Sequence, residues 1–288
     1  MKLFKIYLRK ISITIYLFVF LVGCSSTRFI YSLADEFIQD EITYFLNLDE
    51  DDEVFLTQQI SAMVEWHRIY MLPNYAKYIT YISDKLEVKQ YGLADITEIF
   101  ENGKFLIDET VSGLIPYVAQ FLVMHNTPKN IKFIEKKMFE RHKNRLTELS
   151  QPAGQLYKKR LERLKSNFER FLGKLSDKQV ILLEAYVKET KGNAKIRLLN
   201  LTERQKVFVS FLDTKPSEVE LTTYLNKLLL NGHEITNPTY RIFQETSRKR
   251  FQQLILDILT KTSITQRNIM IEKLRKYAND FKAVSSLN

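Results

Sequence analysis

Apolar side chains recur three or four positions apart along most of this chain, and that period carries the first reading. Leu33, Phe37, Ile38, Ile42 and Phe45 share one side of the stretch 28–46, while Asp35, Glu36, Asp40 and Glu41 lie elsewhere around the turn. This is the pattern of an amphipathic helix. An acidic connection follows over 47–53, with Asp49 as N-cap and further carboxylates in a first turn where the helix dipole favours them. The run Asp49 to Asp52 lacks the alternating ligands, central glycine and closing glutamate of a calcium loop, so capping is the better reading. The next helix runs to about Met71, and Pro73 is expected to end it and start another, because a proline disfavours helical geometry in the residue before it.

Further helices are expected over 75–90, closed by Gly92, and from Leu93 to about His125, a core segment punctuated by Gly103, Gly113 and Pro116. From Lys129, Ile131, Ile134, Met138, Leu146 and Leu149 form one stripe, with His142 on it. Pro152-Ala-Gly154 breaks the pattern and marks a subdomain boundary near 150–154. Beyond it, Leu161, Leu164, Phe168, Phe171 and Leu175 make a stripe beside Arg160, Arg163 and Arg170. Leu175-Ser-Asp-Lys-Gln179, Leu201-Thr-Glu-Arg-Gln205 and Ser263-Ile-Thr-Gln266 each place Gln three residues after Ser or Thr, the spacing of a capping box at a helix start. Pro216, Gly232 and Pro238 separate helices near 217–231 and 239–262, and a last helix covers 265–281. No segment alternates with period two between turn signals. The expected fold is all-α, a multi-helix bundle of about 9–12 helices over 28–288.

Composition agrees, since 8 Gly and 6 Pro in 288 residues leave few interruptions. Charge adds an asymmetry. Residues 28–111 carry 17 acids and 6 bases, whereas 129–174 carry 14 bases and 5 acids. The chain is a dipole along its length, and its basic middle either docks on the acidic first third or faces anionic partners.

The amino terminus supplies an address. Lys2, Lys5, Arg9 and Lys10 precede the apolar run from Ile11 to Val22, too short for the roughly 30 Å hydrocarbon core and laid out as a secretory signal. Leu21-Val-Gly-Cys24 closes this run and resembles the lipobox of bacterial lipoproteins. The resemblance implies a signal peptide over 1–23, cleavage between Gly23 and Cys24, a diacylglycerol thioether on Cys24 and acylation, as by palmitate, of the new amino terminus. Residues 24–27 would form a short lipidated linker. Cys24 is the only cysteine in the chain, so an internal disulfide is excluded. Ser25, in place of Asp, implies by the same resemblance an outer-membrane protein, expected to face the periplasm.

Within the mature part, Trp66-His67-Arg68, Leu72-Pro73, Tyr75-Ala76, the arginine-rich helix from Arg160 to Gln179 and Leu201-Thr-Glu-Arg-Gln205 resemble an uncharacterised family of bacterial all-helical lipoproteins. That resemblance implies an address and a fold class, and no reaction.

Candidate binding residues are Trp66, His67 and Arg68, and the row Arg160, Arg163 and Arg170, whose forked guanidinium groups suit phosphates or carboxylates. Adjacent residues on a helix point about 100° apart, so the first trio is not expected to converge. The four histidines are too widely spaced for a zinc pattern, and no nucleophile elbow, P-loop or dinucleotide fingerprint is present. The expectation is a non-enzymatic binding or scaffold protein of the cell envelope with no cofactor and no metal. Its partners would be the membrane, through lipids on Cys24, and anionic lipid or lipopolysaccharide head groups or an envelope protein, with no nucleic acid. The alternatives are a membrane-tethered periplasmic holdase and an unmarked envelope hydrolase.

Overall fold

The computed structural model describes residues 31–88 and 91–286. Among these, eleven α-helices and no strand are found, so the all-α expectation holds. In chain order they are α1 (Ala34–Phe45), α2 (Glu50–Trp66), α3 (Leu72–Glu87), α4 (Leu93–Met124), α5 (Pro128–Leu149), α6 (Ala153–Leu172), α7 (Asp177–Glu189), α8 (Asn193–Asp213), α9 (Glu218–Asn231), α10 (Tyr240–Thr260) and α11 (Ile264–Ser285). Gly23 and Cys24 lie outside the described residues.

Five of the eleven helix starts among the described residues carry a side-chain N-cap. The Asp49 carboxylate accepts the Asp52 N–H at 2.9 Å, and Thr127 caps α5 with Pro128 at its first position. Ser176 with Gln179, Ser217 with Glu220 and Ser263 with Gln266 close capping boxes on α7, α9 and α11. Gly173 ends α6 at φ 70°, a left-handed conformation that glycine adopts without a Cβ penalty.

Three expectations are corrected. Pro73 makes no corner: α2 continues into α3 through a π-helical turn, His67–Met71, in which the Leu72 N–H reaches back five residues to the His67 carbonyl. The widened turn accommodates a residue that lacks an N–H and would crowd a regular turn. Leu93–Met124 runs unbroken through Gly103, Gly113 and Pro116. Leu201-Thr-Glu-Arg-Gln205 is not a helix start but the middle of α8. There the Thr202 hydroxyl turns back to the Leu198 carbonyl (3.0 Å) and meets His142 Nδ1 of α5 (2.9 Å). Arg204 instead crosses to the end of α9, donating to the Leu228 and Leu229 carbonyls, where helix carbonyls lack intrahelical partners.

Two apolar cores result. The first gathers Leu56 and Ile60 of α2, Ile115 and Ala119 of α4, Ile131 and Ile134 of α5, Leu212 of α8 and Leu221 of α9. The second gathers Leu86 of α3, Ile96 of α4, Leu172 of α6, Leu183 of α7, Ile258 of α10 and Ile271 of α11. The continuous α2–α3 rod and α4 pass through both. A turn at Ser150–Pro152 separates α5 from α6, yet each core draws on segments from both sides of it. Helix α4 is long and apolar enough by composition to cross a bilayer, and here it packs against α2, α3, α9 and α10.

Polar ties lock the two cores. Buried His125 at the end of α4 faces the Asp52 carboxylate with Nε2 (2.8 Å) and the Phe121 carbonyl with Nδ1 (2.7 Å), joining α4 to the start of α2. The boxes of α7 and α11 join in turn: Gln179 and Gln266, both buried, exchange amide hydrogen bonds at 3.2 and 3.0 Å.

Candidate functional site

Trp66, His67 and Arg68 point three ways. Trp66 packs on Gly113 of α4, in the space a Cβ would occupy. His67 donates from Nδ1 toward the Tyr31 hydroxyl (3.1 Å), which itself donates to the Val64 carbonyl (3.0 Å). The imidazole also stacks near Tyr31 and meets the Tyr75 ring edge-on. Arg68 lies 3.9 Å from Glu65. Burial lowers the His67 pKa, and burial pushes Tyr31 up to about 12, with Arg68 opposing and Asp35 reinforcing. A neutral imidazole and a neutral phenol tie the start of the described chain to the π-helical turn.

The basic middle divides between two tasks. Arg141 makes a forked ion pair with Glu41 of α1, and its guanidinium lies 4.6 and 4.5 Å from the Tyr44 and Phe45 ring centroids. This part docks on the acidic first third. Four other cations of the block, Arg145, Lys159, Arg160 and Arg163, open onto a cleft of about 900 Å³ between the end of α5, α6, the end of α7 and the first half of α8. Arg145, Lys159, Arg160, Arg163 and Arg197 line it, with Glu148 as its one acid among the described residues, over a floor that includes Leu164, Leu198 and Phe251.

Arg160 is anchored. Its guanidinium donates to the Val187 carbonyl (3.3 Å) and to the Thr190 hydroxyl (2.8 Å), holding it at the end of α7 where the helix dipole favours a cation. Burial lowers its pKa, with the positive charges of Arg163 and Arg197 acting the same way and Tyr186 opposing them. It remains charged, as arginine does in proteins. Arg145 is neutralised by Glu148 at 2.6 Å, and Lys159 holds the Gln151 amide oxygen at 2.8 Å. Among the described residues, no carboxylate lies within ion-pair distance of Arg160, Arg163 or Arg197.

A second hollow of about 470 Å³ shares Tyr186, Arg197 and Phe251 with the first and extends to Tyr240 and Phe243 of α10. Tyr186 is half-buried with its pKa raised by burial, against the pull of Arg197 and Arg160, so it presents a neutral phenol where the hollows meet. Tyr186 and Phe251 pack at 6.0 Å between centroids.

The structure thus brings Arg160 and Arg163 of the arginine row together in the cleft. Arg170, two turns on, lies outside it, and its backbone carbonyl accepts from Lys273 of α11. Arg197 and Tyr186 were not singled out by the sequence, because neither belongs to the arginine row of α6 and only the packing of the helices places them beside Arg160. Among the described residues, no three His, Cys, Asp or Glu side chains gather in an arrangement able to hold a metal ion. Chemically, the cleft offers forked donors and apolar surface, which suits it to hold an anionic ligand.

No curated protein and no solved structure matches the chain. A family does match, over residues 44–241, a span that includes Arg160, Tyr186 and Arg197. The chain belongs to the family of unknown function DUF6279.

Proposed function

We propose that this chain is a non-catalytic binding protein of the bacterial cell envelope, anchored in the outer membrane through lipids on Cys24, and that its ligand enters the arginine-lined cleft. The observation that carries the binding role is the set of three cleft guanidiniums without a carboxylate partner. Like charges gathered beside apolar surface repel one another, and an anionic ligand relieves that repulsion as it binds. The anchor rests on Leu21-Val-Gly-Cys24 at the end of the basic and apolar leader. Two or more acyl chains give stable membrane attachment where one does not.

Two experiments test this reading. Metabolic labelling with an alkyne fatty acid should mark the wild-type chain and not Cys24→Ser, with the label in the outer-membrane fraction; a labelled Cys24→Ser chain refutes the anchor. Thermal melting of the full chain in detergent is then followed as lipid, polysaccharide and small-molecule fractions of the envelope are added. A ligand that binds only the folded state raises the melting temperature. At least one fraction should stabilise the wild type and not Arg163→Glu. No shift with any fraction refutes the cleft as a binding site. A holdase would instead protect unrelated unfolding proteins whether or not Arg163 is present.

A further inference from the structure

The reading above leaves the chemistry of the ligand open, and the cleft narrows it. Resting on that reading, we propose that the ligand is an organic phosphate, its phosphate group held by Arg160, Arg163 and Arg197 and its body lying over the floor of the cleft toward the second hollow.

Charge argues for phosphate. A carboxylate brings one negative charge and two oxygens, whereas a phosphate monoester brings about −1.5 to −2 at neutral pH and three strong acceptor oxygens. Three guanidiniums with no carboxylate within ion-pair distance are balanced more nearly by the second than by the first, and Glu148 at the rim is already paired with Arg145. Their placement fits as well. Arg160 and Arg163 sit one turn apart on α6 and Arg197 comes from α8, so donors approach from two sides of the cleft. Arg160 is pre-organised by Val187 and Thr190, which reduces the side-chain ordering that binding would otherwise require. The Tyr186 phenol, neutral at physiological pH, adds a donor beside Arg197.

Size argues for more than inorganic phosphate. A cleft of about 900 Å³ leading into about 470 Å³ is far larger than one phosphate group, and beside its cations the lining mixes leucine, tyrosine and phenylalanine with Glu148 at one end and neutral polar side chains such as Asn167, Thr190 and Asn193. Such a site takes a phosphate joined to a ring or an apolar chain. Two sources share this chemistry: the head group of a phospholipid and a free phosphate ester.

The test uses the full chain in neutral detergent micelles and isothermal titration. Phenyl phosphate represents the free ester, and phosphatidic acid in mixed micelles represents the lipid; benzoate and oleate are the carboxylate controls. At least one phosphate probe should bind more tightly than its carboxylate control. Arg163→Gln and Arg197→Gln should each weaken it roughly 10- to 100-fold, the worth of one charge-assisted contact. Arg170→Gln, on the same helix and outside the cleft, should leave it unchanged. Binding of phosphatidic acid alone assigns the lipid source, and binding of phenyl phosphate assigns the free ester. The proposal is overturned if neither phosphate probe binds, if the carboxylates bind equally well, or if both cleft variants bind as the wild type does. If it falls while an envelope fraction still gives Arg163-dependent stabilisation, the ligand class is wrong and the binding role stands; if both fail, the binding role falls with it.

Discussion

Replacing Gln179 with leucine keeps most of the side-chain volume and removes an amide that is fully buried. Its Oε1 accepts from the Ser176 N–H at 3.0 Å and from Gln266 Nε2 at 3.0 Å, and its Nε2 donates to Gln266 Oε1 at 3.2 Å. The substitution therefore opens half of the α7 capping box, worth about 1 kcal/mol. It also strips one partner from each end of the Gln266 amide, although Nε2 keeps the Lys174 carbonyl (2.8 Å) and Oε1 keeps the Ser263 N–H (3.1 Å). Partial loss at two buried groups adds about 1 kcal/mol or slightly more, for a total of about 2–3 kcal/mol. Gln266→Leu should cost about 3 kcal/mol, because the Lys174 carbonyl loses its donor as well. In the double variant the reciprocal bonds are lost once rather than twice and two leucines face each other. Its cost should therefore fall short of the sum of the singles by about 1–2 kcal/mol. Urea unfolding of the four chains, followed by far-ultraviolet circular dichroism, measures this cycle. Additivity within about 0.5 kcal/mol would refute the claim that the two helix starts are coupled.

Thr202→Val, on the third Ser/Thr-x-x-Gln match, should cost less than about 1 kcal/mol in the same assay, since Thr202 caps no helix and its hydroxyl bonds its own turn and His142; a loss as large as that of Gln179→Leu would contradict this. Gly113→Ala should destabilise by about 2–3 kcal/mol, because the new Cβ would occupy the Trp66 ring. The companion readout is tryptophan fluorescence, which should shift as the indole is displaced; an unchanged emission and melting temperature would refute the close packing. Burial holds His67 below the ordinary imidazole value of 6.5, so protonation favours the unfolded chain. Stability should be complete above about pH 6.5 and fall as pH drops through the lowered folded-state value, and His67→Gln should flatten that decline; equal pH slopes for the two chains would refute it. Tyr31, pushed up to about 12, should still be neutral where exposed tyrosines ionise. An ultraviolet titration of wild type against Tyr31→Phe should differ only at that late step, with stability present below pH 10 and lost as pH rises toward 12.

Periodicity made the helices legible, because burial of one face is a local property of sequence spacing. Ser176, Ser263 and Asp49 announced helix starts for the same reason: their side chains act on backbone groups three residues away. Thr202 carried the identical signature and meant something else. No breaker precedes it, α8 has already begun at Asn193, and the hydroxyl finds its partner across the helix interface in His142. Pro73 failed as a boundary for a related reason. A π-helical turn lets the chain keep going, and the decision belongs to the packing of α3 along α11 and of Trp66 on Gly113, which no local rule contains. The break at 150–154 is a turn between α5 and α6, and each core takes residues from both sides of it while the α2–α3 rod and α4 run through the two.

The cleft shows how a net charge conceals its own use. In sequence, the basic middle is a single block, and a salt-bridged face and an anion site look alike. In space the block is sorted by what it meets. Arg141 reaches the Glu41 carboxylate and two aromatic rings, while Arg145 is neutralised within its own helix by Glu148. Arg160 and Arg163 find no acid, and the packing of α8 against α5 brings a further cation, Arg197, to them. A carboxylate among those three would offset their mutual repulsion, although with Arg163 and Arg197 exposed the gain is only about 0–1 kcal/mol. Acids are close in sequence, yet Glu162 and Glu169 of α6 and Glu184 and Glu189 of α7 do not pair with these arginines; Glu189 binds Arg250 instead, and Glu148 at the cleft is held by Arg145. What sets these arginines apart from the other unpaired cations of the chain is that two helices bring them together beside an open cavity, and that is the reason to look for the ligand there.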